Sequence, residues 1–335
     1  MADTLGANDE ADLLQQSARY AMLSDHLTDK LCRTPAGVLT QLFVRNGPVP
    51  HDLYCGVLPE HLRRAIDELG IVDTRASLTF GQVSVTPFSS LYLASDQLFT
   101  IDESGDIDLT PRGDLVMPPH SSTLTLLEFA RGDGGGGSLV DMGSGCGALG
   151  LSLARSYDLV RMVDANPRAA AYSSLNAHIN DISADVIVDD VTTGNLSAPV
   201  GSLTLFNAPT TVPYRNDVNE YGFMTPRAAL ESIVSSFPEE GKCRALVFAV
   251  IEIPRRCRSI QDIVAEWLTD LPVTQLAVNR IHHSAAYVAP QAISQGTIDP
   301  QCLLLRHGGD APLLLRYLRE RGIHEVVPVV VSVSV

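Results

Sequence analysis

The chain has 335 residues, room for two domains of ordinary size. Hydrophobic residues make up 45% and charged residues 19%, which excludes wholesale disorder. Lys and Arg number 24 against 39 Asp and Glu, a net charge of -15. That balance argues against phosphate-backbone or anionic-membrane partners, both of which are held by clustered cations.

The acid excess is densest over residues 1–135. Cys32, Cys55, Cys146, Cys243, Cys257 and Cys302 form no C-x-x-C pair, and no basic-then-apolar leader opens the chain. Reduced thiols and a cytoplasmic location are expected.

Taken in chain order, Asp12 to Leu31 carries a helical apolar stripe through Leu13, Leu14, Ala18, Ala21, Met22 and Leu27. Thr34-Pro35 caps and opens a second helix, and a third follows Pro59 and ends at Gly70. Strands are expected over Leu78–Val85 and Leu91–Ile101, with an acidic turn from Asp102 to Asp108. Three short helices and a strand pair resemble a winged helix. Its acidity favours a packing, cap or homodimerisation role over DNA binding. Ser122–Ala130 reads as a helix, and Gly134–Gly137 is flexible punctuation. The boundary is placed there, giving domains 1–133 and 134–335.

Beyond Ser138 the pattern alternates. Strands are expected at Leu139–Met142, Leu159–Asp164, Asp185–Val188, Leu203–Asn207, Ala245–Glu252, Gln275–Ile281 and Val326–Val335. Helices are expected at Ala148–Tyr157, Pro167–Asn180, Ala228–Phe237, Ser259–Asp270 and Ala311–Arg321. Such alternation implies an α/β domain, a doubly wound, seven-stranded parallel sheet covered on both faces.

The chemistry-bearing residues sit at strand ends. Val140-Asp141-Met142-Gly143-Ser144-Gly145-Cys146-Gly147 joins a strand to a helix. Glycines there allow a tight turn and close backbone approach. Asp141 can face an ammonium group. Asp164, with Ala165 beside it, ends the second strand 21 residues after Gly143, a spacing at which a carboxylate reaches ribose hydroxyls. Asp189 and Asp190 end the third, where a side chain can read an adenine amine. An acid beside a pyrophosphate repels, whereas beside an ammonium it attracts. The motif therefore favours S-adenosyl-L-methionine (SAM) over a dinucleotide. Cys146 has no flanking base to activate it.

These motifs, with Phe206-Asn207-Ala208-Pro209, resemble the class I SAM-dependent methyltransferases over residues 139–335. The resemblance implies a Rossmann-like methyltransferase sheet beside the winged-helix-like α+β domain. It extends to the branch whose fourth strand ends in Asn-Pro-Pro-Tyr, where the Asn grips an acceptor nitrogen. Asn176-Ala177-x-x-Asn180 is also typical of that branch. Here the motif reads Asn207-Ala208-Pro209-Thr210.

Asn207 can still donate two hydrogen bonds and accept two. Tyr214, Tyr221 and Phe223 offer aromatic faces to a sulfonium. His282, followed by His283 and then Tyr287, is a candidate general base. His120 and Ser121 precede the core as further candidates. The histidines have no metal-ligand spacing.

Methyl transfer to a nitrogen of a small molecule or peptide is the leading reading, with no nucleic-acid or membrane partner. A second reading keeps the cofactor and closes SAM on itself, giving methylthioadenosine and a small cyclic amino acid such as azetidine-2-carboxylate or its cyclopropane isomer. Some methyltransferase-like proteins of natural-product biosynthesis do this. A third reading is a non-enzymatic adaptor.

Overall fold

The structure, a computed structural model, describes residues 32–101, 107–109, 113–190, 198–208, 225–238, 242–255, 259–282, 286–299, 304 and 310–335. The helix expected over 12–31 lies outside them, as do Pro209, Tyr214, Tyr221, Phe223 and His283.

Thr34 accepts the Gly37 N–H at 3.1 Å and Pro35 occupies the first turn, so helix α1 (Pro35–Leu39) begins where the sequence predicts. It continues into one π-helical turn, Thr40–Val44. Strand β1 (Val49–Pro50), α2 (His51–Val57) and α3 (Glu60–Glu68) follow. The sequence reading omits α2, a helix of only seven residues. β2 (Val72–Arg75) and β3 (Leu78–Gly81) complete a small antiparallel sheet with β1. Val38, Leu42, Tyr54, Leu58 and Ile66 fill its core.

The strand expected over 78–85 breaks in two. Gln82 donates its N–H to the Ile71 carbonyl and turns the chain, and β4 (Ser84–Phe88) pairs instead with β5 (Leu91–Ser95). The strand expected over 91–101 also breaks. Asp96 is drawn away by its bonds to residue 116, and β6 (Phe99–Ile101) pairs with β7 (Ile107–Leu109).

The second domain comprises α4 (Ser121–Arg131), β8 (Ser138–Met142), α5 (Ala148–Leu153), β9 (Leu159–Asp164), α6 (Pro167–Ile179), β10 (Asp185–Val188) and β11 (Leu203–Asn207). It continues through α7 (Pro226–Ser235), β12 (Arg244–Pro254), α8 (Ile260–Trp267), β13 (Gln275–Arg280), α9 (Pro290–Gln295), α10 (Ala311–Glu320) and β14 (Ile323–Ser334). The sheet order is β10-β9-β8-β11-β12-β14-β13.

The sheet is not wholly parallel, as the alternation alone predicts. β14 runs antiparallel to both β12 and β13. Gly322 accepts from the Arg255 N–H, which seats the α10–β14 turn at the C-terminal end of β12. A strand starting there can only run back.

Central strands are apolar on both faces because helices cover both. Leu139, Leu205 and Phe248 join one core, while Val140, Phe206 and Val247 join the other, as a period of two requires. α4, placed before the domain boundary from sequence, packs Leu126, Leu127 and Ala130 into the first of these cores. Phe88, Leu91 and Leu93 of the β4–β5 hairpin join the same core.

The contact between the two domains is polar at its rim. Asn176 of α6 accepts the Ala94 N–H and donates to the Ala94 carbonyl, both at 2.8 Å. One helical turn on, Asn180 repeats the pair with Tyr92 at 2.9 Å. Two amides at i and i+4 thus bond residues i and i+2 of β5 as a neighbouring strand would.

Candidate active site

The loop between β8 and α5 is shaped by its glycines. Gly143 has φ 62° and a Cβ there would lie 2.8 Å from the Phe206 ring, so no other residue fits without displacing it. Gly145 has φ 56° and a Cβ there would enter open space, so its backbone is what the loop presents outward. Gly147, φ 80°, precedes the first turn of α5. Ser144 donates its N–H to the Val163 carbonyl, tying the loop to the end of β9.

Asp164 is fixed by two backbone donors, the Gly145 N–H at 2.8 Å and the Asn166 N–H at 2.9 Å. Its carboxyl lies above the ordinary range because burial outweighs those two bonds. Ala165 is half-buried between Asp164 and Asn166. Asp189 follows β10, donates its N–H to the Asp164 carbonyl and accepts the N–H of exposed Asp190. Asp141, Asp164 and Asp189 therefore stand at or just beyond the same ends of three adjacent parallel strands.

Asp141 and Asn207 face the α4–α5 side of the sheet, since their neighbours Val140, Met142 and Phe206 face the other core. Asp141 is 1% exposed and accepts the Gly150 N–H at 2.8 Å. Burial, with a smaller contribution from the charge of Asp164, pushes its carboxyl up to about 7. A carboxyl raised on folding stabilises the fold at low pH, and that contribution is lost as pH rises from about 4 through 7. Without cofactor, Asp141→Asn should therefore gain thermal stability relative to the parent at pH 8 but not at pH 5. A gain of equal size at both pH values would show that Asp141 is not the titrating group.

Asn207 ends β11. Its Nδ2 donates to Thr123 Oγ1 of α4 at 3.3 Å, and its buried Oδ1 has no hydrogen-bond partner among the described residues. Thr123 Oγ1 also accepts the His120 N–H at 3.3 Å, and His120 Nδ1 lies 3.1 Å from Ser122 Oγ. Burial pushes the His120 imidazole down to about 4, so it is neutral at physiological pH. Sequence reasoning misses Thr123, because an interior helical threonine carries no motif. Burial pushes the Cys146 thiol up to about 12, which keeps it protonated.

His282 does not join this cluster. It is exposed after β13, three strands from Asn207, and its ring contacts Tyr287 edge-on. A cleft of about 420 Å³ lined by Arg255, Gln291, Ser294 and His324 lies beyond β12 and β14, away from the glycine loop. Its lining holds none of the carboxylates above.

Residues 121–210 match the methyltransferase small domain family, a stretch running from α4 past the end of β11. The match covers about a quarter of the chain and lies within the sheet domain. A comparison with curated protein sequences finds no match.

Among solved structures, the chain is similar to Trm5b from Pyrococcus abyssi, with 12% identity and a TM-score of 0.40 over 83% of this chain and 71% of that one. It is also similar to geranyl diphosphate C-methyltransferase from Streptomyces coelicolor, with 14% identity and a TM-score of 0.37 over 63% and 76%. Among the described residues, no helix of the chain is long and apolar enough to cross a membrane.

The site's own features fit SAM. The open backbone face at Gly145, the anchored carboxylate of Asp164 and the unpartnered Oδ1 of Asn207 are groups that an amino-acid-bearing nucleoside and an acceptor would use.

Proposed function

We propose that the enzyme methylates a nitrogen of a small molecule or peptide, with Asn207 holding the acceptor. The observation that supports this reading is the unpartnered, buried Oδ1 of Asn207 at a strand end beside the glycine loop. A buried carbonyl oxygen is costly until a donor meets it, and an acceptor N–H is such a donor. Bound SAM supplies an electrophilic methyl on a cationic sulfur.

The chain's own residues bind and orient. Asp141 holds the methionine ammonium, Asp164 the ribose hydroxyls, and Asp189 or Asp190 the adenine amine. Gly143, Gly145 and Gly147 let the backbone approach. In this reading Tyr214 and Tyr221 offer aromatic faces to the sulfonium, while the exposure of His282 leaves it no part in proton transfer. Rate then comes from holding the neutral nitrogen in line: its lone pair forms the N–C bond as the C–S bond breaks, S-adenosylhomocysteine leaves as a neutral thioether, and the surplus N–H proton passes to solvent after transfer. The net charge of -15 disfavours a nucleic-acid acceptor.

The test is product analysis. Incubation with SAM and a pool of amines and peptides should yield S-adenosylhomocysteine only when the pool is present. Methylthioadenosine formed from SAM alone would overturn methyl transfer in favour of intramolecular cyclisation.

A further inference from the structure

The geometry points to Thr123 as the positioning residue that turns the Asn207 carbonyl toward the acceptor, so that the site selects a nucleophile still carrying hydrogen. This rests on the proposed acceptor role of Asn207.

Thr123 is 6% exposed in the first turn of α4. Its hydroxyl oxygen has two lone pairs. One takes the His120 N–H, a group that can only donate. The other takes Asn207 Nδ2. With its NH₂ group held there, the amide must aim Oδ1 the opposite way, and that oxygen is the one left without a partner among the described residues. An oxygen so aimed accepts and cannot donate. It favours an amine or amide N–H and disfavours an acceptor atom flanked only by lone pairs. The reversed amide would present two N–H donors and favour carbonyl or carboxylate neighbours instead. Thr123, 84 residues earlier in the chain, is the side chain that holds the amide in the first of these orientations.

Two cofactor analogues test this without knowledge of the acceptor. S-Adenosylhomocysteine and sinefungin share the methionine and adenosine ends. Sinefungin adds a primary amine on the carbon that replaces sulfur, in the place of the transferred methyl and facing the acceptor side. The ratio of their dissociation constants therefore isolates the acceptor side from the rest of the cofactor site.

The parent protein should prefer sinefungin by about tenfold, as one charge-assisted hydrogen bond supplies. Thr123→Val should lose most of that preference while keeping its affinity for S-adenosylhomocysteine. Thr123→Ser, which keeps the hydroxyl, should retain it, and Asn207→Ala should lose it. A parent that binds S-adenosylhomocysteine more tightly than sinefungin overturns the orientation. A Thr123→Val protein with the parent's ratio overturns the role of Thr123. If the Val protein does not fold, a Ser variant that loses the preference while still binding S-adenosylhomocysteine overturns it as well. Loss of the preference in Thr123→Val with no loss in Asn207→Ala would instead remove Asn207 from the acceptor site, so that the proposed function fails separately.

Discussion

Asp164→Ala is expected to weaken SAM binding about 100-fold, or ~2.7 kcal/mol, in a calorimetric titration. Two losses combine. The ribose hydroxyls lose an anionic acceptor, worth about 1.5–3 kcal/mol for a hydrogen bond to a charged group. The Gly145 and Asn166 N–H groups lose the carboxylate that fixes them, so the loop must be ordered on binding.

Asp164→Asn should rescue little. Both carboxylate oxygens accept backbone N–H groups, and an amide would set its own NH₂ against one of them. Folding without cofactor should respond in the opposite sense. A carboxyl raised by burial contributes stability at low pH that is lost as pH rises through its folded value. The Ala variant should therefore compare better with the parent at pH 8 than at pH 5. An unchanged affinity would remove Asp164 from the cofactor site.

The largest effect on stability is expected at Asp96, between the two domains. It is 4% exposed and accepts from Arg168 Nε, from Arg168 Nη2, from Tyr172 OH at 2.9 Å and from the Val116 N–H at 2.9 Å. Burial alone would raise its carboxyl, but the bonds from Arg168, Val116 and Tyr172 outweigh that and hold it below the ordinary range.

Breaking a buried pair from one side costs roughly 3–5 kcal/mol. The Arg168 side chain is 36% exposed and can rehydrate, so Asp96→Ala should cost about 3 kcal/mol, at the low end of that range, in urea unfolding. The sign with pH is that of a depressed carboxyl. The contribution is present above about pH 4 and lost as pH falls through the folded value. The difference between parent and variant should therefore shrink in acid, and a difference that persists there would contradict the assignment.

The loss should also reach the cofactor site. Asn166 donates its side-chain N–H to the Asp114 carbonyl in the linker, and its backbone N–H to Asp164. Asn176 holds the Cys146 carbonyl of the glycine loop as well as β5. Undocking the first domain thus loosens both edges of the loop.

The sequence made the second domain legible because its signals are local. A glycine run between an apolar strand and a helix, carboxylates at strand ends and helix starts at Pro167 and Ser259 all lie within a few residues of what they control. Expected and observed bounds for β9, β10 and β11 coincide for that reason. Bounds failed where a distant contact intervened, as at Asp96, which ends β5 through partners 20 and 72 residues away.

Asn176 and Asn180 were readable as a motif, yet only the packed structure shows that they carry the hydrogen bonds of a missing strand for β5. The direction of β14 depended on where α10 ends in space, which periodicity does not encode. Composition, charge and the strand-end acids pointed to the kind of domain and to the proposed cofactor. Tertiary structure decided that His282 stands apart, that Thr123 meets Asn207, and that the two domains share one core face. Those are matters of which side chains meet across 70 or more residues, and local sequence constrains only what is bonded or stacked along the chain.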